Sequence, residues 1–129
     1  MSNKVFLVHV SYGDHDAYTQ VPLFCCRDVK TAASYVEKLT LLTRKRNEIW
    51  AKIGKEMEHW EVDHPRPYKR GGLDMMEWAN QREIKHKEVY AVLYQFSQDE
   101  QSLIDTFHLS DYLMQSDSEY DWAELSVIE

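Results

Sequence analysis

Cysteine, glycine and proline are all scarce in this chain. Its two cysteines, Cys25 and Cys26, are neighbours, which excludes a disulfide framework and points to a reducing compartment, the cytoplasm, which is a host's if the chain is phage-borne. Four glycines, paired only at Gly71-Gly72, leave no G-x-G-x-x-G or G-x-x-x-x-G-K-[ST] phosphate loop and no G-x-S-x-G elbow. Nowhere does an apolar run approach the roughly 18 residues a membrane span needs. The N-terminus, MSNKVFLVHVSYGD, reads as a first strand and not as a signal peptide. Paired C-x-x-C and H-E-x-x-H spacings are missing as well. Basic residues are absent from 98–129, a segment that holds nine carboxylate side chains.

What is present is an ordinary globular composition, 43% hydrophobic, 29% charged and 12% aromatic over 129 residues, enough for a single domain spanning 1–129. The net charge of −7 is unevenly spread: residues 27–70 hold eleven basic and seven acidic side chains. Such asymmetry marks an interaction surface, or an acidic tail folded onto a basic helix. An acidic balance disfavours direct nucleic-acid binding, and Arg44-Lys45-Arg46 is the one short basic cluster against that reading.

Residues 4–11 are apolar on both alternating faces, as in a strand buried from two sides. Gly13 in the following turn is free to take a positive φ. Residues 20–26 return as a second strand, and Pro22 confines it to an edge. Asp28 caps a helix whose heptad positions (Val29, Val36, Trp50 and Met57 at a; Ala32, Leu39, Ile53 and Trp60 at d) continue to about residue 62. Thirty residues span roughly 45 Å, against a radius of gyration of about 14 Å for a compact domain of this length. The helix therefore either breaks near Thr40–Thr43 or runs on to find a partner, and Trp50, Ile53, Met57 and Trp60 pack on a second helix of the same chain or on a second copy in a homodimer.

The loop His64-Pro65-Arg66-Pro67-Tyr68-Lys69-Arg70-Gly71-Gly72 leads to a helix capped by Asp74 and ending near His86. Residues 88–96 carry the strongest strand signal, with two apolar faces that predict a central strand. Ser97-x-x-Glu100 is a capping box before a short helix with Leu103, Ile104 and Phe107, and Trp122–Ile128 alternates as a last strand. The expected fold is α+β, with about four antiparallel or mixed strands covered by helices on one face, in the order β-β-α-α-β-α-β.

Chemistry is harder to locate. Asp14-His15-Asp16, and His59 and His64 with Asp63, gather potential ligands without a metal-binding spacing, so no metal or other cofactor is expected. His9 lies in an apolar strand and reads as a core histidine. Cys25 and Cys26 run into a helix N-terminus, where a thiol pKa can fall, yet cysteine is usually buried and structural. No catalytic residue is assigned. The surplus of tyrosine and tryptophan suits interfaces.

Three readings follow. In the first, a non-catalytic acidic protein docks on a basic surface of another protein, such as a nucleic-acid-binding protein, through Asp111, Asp117, Glu119, Tyr120, Asp121 and Trp122. In the second, Arg66, Tyr68, Lys69 and Arg70 bind a nucleotide-like small molecule. In the third, Trp50, Ile53, Met57 and Trp60 join copies into a homo-oligomeric scaffold. Small size, acidity, aromatic content and a hairpin running into a helix resemble the accessory proteins of phages and mobile elements, and immunity proteins that neutralise a toxin; that resemblance implies an inhibitor and transfers no site residue.

Overall fold

The computed structural model describes residues 3–13, 19–68, 73–109, 114 and 117–127. They form β1 (Asn3–Tyr12), β2 (Thr19–Cys26), α1 (Val29–Asp63), α2 (Leu73–Leu93), α3 (Gln98–Thr106) and β3 (Glu119–Val127). The class is α+β, with one three-stranded antiparallel sheet ordered β2-β1-β3. The chain divides into two compact units, residues 1–47 with 96–129, and residues 48–95.

The first unit is built on the sheet. Side chains of β1 alternate, so Phe6, Val8 and Val10 share one face, and Val8 and Val10 are fully buried against Ala32, Leu39 and Leu42 of α1. Tyr120 and Trp122 of β3 and Phe24 of β2 complete that side. Phe24 stacks on Phe107 at 4.9 Å, and Tyr35 meets both rings edge-on, which joins β2, α1 and the end of α3. Pro22 sits on an edge strand as expected, and the register shifts beside it, between Val8 and His9. Gly13 adopts φ 104° and donates its N–H to Asp117 Oδ2 at 2.9 Å, tying the end of β1 to the approach to β3.

Two of the three expected caps form, at Asp28 and Ser97, while Asp74 lies within the first turn of α2, where its charge suits the helix N-terminus. Asp28 Oδ1 accepts from the Lys30 N–H at 3.1 Å, and Asp28 Oδ2 accepts from the Thr31 hydroxyl at 3.0 Å. Ser97 and Glu100 make the reciprocal capping box of α3. α1 is one continuous helix of 35 residues, without a break at Thr40–Thr43, where the Thr40 hydroxyl bonds back to the Val36 carbonyl at 2.7 Å.

The second unit is a helical hairpin. Ile49, Ile53 and Met57 of α1 are buried together with Val89 of α2. Trp60 lies 6.0 Å from Trp78, and Trp50 packs on His86, Tyr90 and Tyr94. These pairings run in opposite directions along the two helices, so the hairpin is antiparallel. The central strand expected at 88–96 is therefore corrected. Residues through Leu93 are the last turns of α2, the sheet has three strands, and β1 is its centre. A short apolar run carries no helix or strand period of its own. The helical spacing of His86, Tyr90 and Tyr94 puts all three against Trp50, and that tertiary packing decides the outcome. The order becomes β-β-α-α-α-β.

Ile53 is 2% exposed, so Ile53→Ala should destabilise the protein by about 2–5 kcal/mol, read as a lower denaturant midpoint.

Candidate functional site

The strand alternation that buries one face of the sheet sorts the acidic segment. On β3, Tyr120 and Trp122 turn inward while Glu119 and Asp121 stay exposed. Tyr120 is 8% exposed; its hydroxyl accepts from Thr43 Oγ1 at 3.0 Å, and burial pushes its pKa up, against the opposing influence of that bond and of Arg46. Trp122 meets Phe6 edge-on at 5.6 Å. These two aromatic residues, expected to anchor a partner, belong to the packing of the first unit. Asp117, Glu119 and Asp121 remain as exposed carboxylates, and Asp111 lies outside the described residues.

Each exposed carboxylate has a distinct setting. Asp117 accepts from Gly13, and Glu119 stands opposite Ser11 across the ladder. Asp121 stands opposite His9, and its Oδ1 accepts the Trp122 N–H at 2.8 Å. Glu124 is engaged by Lys4 at 2.9 Å. The face carrying Glu119 and Asp121 continues into Ala123 and Leu125 on β3, Val5 and Leu7 on β1 and Cys25 on β2. None of these five joins the core cluster, Cys25 is exposed, and Leu125 is 42% exposed. The second face of the sheet thus has an apolar half and an acidic half. His9, expected in the core, is half-buried on this face.

The basic segments are held differently. Lys45 pairs with Glu100 of α3 and lies over the Phe96 ring at 5.7 Å. Arg46 Nη1 donates to the Met114 carbonyl at 2.6 Å. Burial pushes the Glu100 pKa up, but its bonds from Lys45 and Ser97 outweigh that and leave it below the ordinary value. Lys45 and Arg46 of α1 thus engage Glu100 of α3 and the Met114 carbonyl.

Of the loop residues expected to hold a small ligand, Arg66 lies over the Trp78 ring at 5.9 Å and Tyr68 is fully exposed. Lys69 and Arg70, like Asp14, His15 and Asp16, lie outside the described residues. Arg66 and Trp78 line an open groove of about 570 Å³ with Glu61, Arg82 and His86, in which Arg82 pairs with Glu61 at 2.6 Å. This groove escaped sequence reasoning, because nothing in the spacing sets Trp78 beside Arg66 and Glu61. Trp50 and Trp60 pack against rings of α2 in the same chain, and Ile53 and Met57 are buried. Among the described residues no three metal-ligating side chains converge, and no helix is long and apolar enough to cross a membrane. No family model, curated protein or solved structure matches the chain.

The raised Tyr120 pKa has a testable consequence. Its stabilising contribution is complete below the ordinary tyrosine value of about 10 and is lost as pH rises through the raised folded value. Stability measured by denaturation should therefore fall less steeply above about pH 10 in Tyr120→Phe than in the parent chain.

Proposed function

We propose that the chain is a non-catalytic binding protein whose acidic C-terminal strand and the adjoining open sheet face dock on a basic surface of another protein. The observation that carries this reading is the alternation of β3. It commits Tyr120 and Trp122 to the core and leaves Glu119 and Asp121 on the face of Val5, Leu7, Ala123 and Leu125, with Asp117 exposed just before the strand. Apolar residues bordered by charged ones are a common make-up of a protein interface, and here the charged border lies at one end. The carboxylates supply orientation and encounter rate, and the apolar half supplies desolvation. An inhibitor or immunity protein that blocks a basic active surface, such as that of a nucleic-acid-binding protein, works in this way.

Binding of this kind weakens with salt, because exposed charges are screened over about 8 Å at physiological ionic strength. The test is an affinity capture from the native host at low and high salt, with the parent chain beside a variant carrying Asp117→Asn, Glu119→Gln and Asp121→Asn. A protein held by the parent, released at high salt and not held by the variant is the expected result. Equal retention by both chains contradicts the reading.

A second reading, a small-molecule site at the Arg66 loop, is favoured by one observation. Arg66 and Trp78 meet over a groove that also holds Arg82 and His86, so cations and an aromatic face line the same space. Such a groove suits an anionic ligand with a flat ring. A thermal-shift screen of nucleotides should then give a stabilised hit that Trp78→Ala abolishes; no shift with any nucleotide at millimolar concentration contradicts it.

A further inference from the structure

We infer that the cleft between α1 and α3 binds a small carboxylate with an apolar body, of the class of a medium-chain fatty acid. Its residues are separate from the acidic face of β3, so this inference goes beyond the docking reading and does not depend on it.

Both walls of the cleft lie in the first unit, and α3 is tied to α1 at two places. Lys45 pairs with Glu100 in the first turn of α3, and Tyr35 meets the Phe107 ring edge-on just past its last turn, 5.6 Å between centroids. The two helices therefore run antiparallel, and between the ties they enclose a space of about 500 Å³. That volume suits a small molecule. Helical spacing sets Lys38, Leu41, Leu42 and Lys45 on one face of α1, and Asp99, Ser102, Leu103 and Thr106 on one face of α3. The floor is apolar: Leu42 is 2% exposed in the core, with Leu103 and Phe107 packed against that core. Leu41 lines the same space and is 54% exposed, so it is apolar surface that a ligand can take out of water.

Charge sets the head group. At one end Glu100 is held by Lys45 and by the Ser97 N–H, and Asp99 stands in the first turn of α3, where the helix N-terminus favours a negative charge. Lys38 stands near the other tie, one turn along α1 from Tyr35. It lies over the Tyr35 ring at 5.1 Å, and among the described residues it forms no ion pair or hydrogen bond. The Lys38 ammonium is therefore the charge of the cleft with capacity left for a ligand, and it calls for an anion. A carboxylate meets Lys38, and the apolar body attached to it lies along Leu41, Leu42 and Leu103.

The probes are octanoate, butyrate, octanol and octylamine, each titrated at low salt into the intact chain and followed by amide chemical shifts. Octanoate should bind most tightly and move the signals of Leu41, Leu103 and Phe107. Butyrate should bind at least about tenfold more weakly, because each buried methylene is worth roughly a fourfold gain. Lys38→Gln should lower octanoate affinity at least about fivefold and leave octanol unchanged. Leu41→Asn should weaken octanoate and octanol together. Tightest binding by octylamine would assign the cleft to cations through Asp99 and overturn the proposal. Equal binding of butyrate and octanoate would mean a surface charge contact alone and overturn it too. So would octanoate binding that ignores Lys38→Gln, octanoate shifts centred on Val5 and Leu125 of the open sheet face, or no octanoate binding at all.

Discussion

Everything in the first unit depends on one contact, the packing of Val8 and Val10 of β1 on Ala32, Leu39 and Leu42 of α1. A strand pairs on two edges and presents two faces, and β1 is the strand that spends both edges, on β2 and β3. Once α1 covers the face bearing Val8 and Val10, alternation leaves little freedom elsewhere. Tyr120 and Trp122 must turn inward opposite Val10 and Val8, and Glu119 and Asp121 must turn outward opposite Ser11 and His9. The exposed acidic row is thus a geometric consequence of where the core lies.

The same constraint explains how a chain with net charge −7 keeps its acidic segment available. Among the described residues, ion pairs form away from Glu119 and Asp121: Lys45 holds Glu100, Arg82 holds Glu61, Lys87 holds Glu83, and Lys4 holds Glu124 further along β3. Isolated exposed pairs of this kind contribute about 0–1 kcal/mol each, so they orient elements more than they hold the fold together. Burial and ring packing do the latter, through the Phe24, Tyr35 and Phe107 cluster in one unit and the stacking of Trp50 and Trp60 on α2 in the other. With those tasks met by apolar groups, Glu119 and Asp121 are left exposed on the other face of the sheet.

Much of this was legible from residues alone. Asp28 and the Ser97-Glu100 box marked two helix starts because short oxygen-bearing side chains satisfy free amide donors there. Pro22 marked an edge, and Gly13 a turn with positive φ. Residues 88–96 were misleading, since Val, Tyr and Leu in succession suit a buried strand or a buried helix face equally, and only Trp50, some forty residues away, settles which. The inward turn of Tyr120 and Trp122 was hidden for a related reason. The period of β3 shows that neighbours part, and only its pairing with β1 shows which neighbour faces α1.

The most direct test of the account is carbodiimide labelling of the carboxylates in the folded chain, because the outward turn of Glu119 and Asp121 is its central claim. Both should react about as readily in the folded chain as in the denatured one, whereas Glu100, held by Lys45 and by the Ser97 N–H, should be protected. Protection of Glu119 and Asp121 in the isolated folded chain would show that the acidic row is already covered, and would contradict both the open acidic strand and its role in binding a partner.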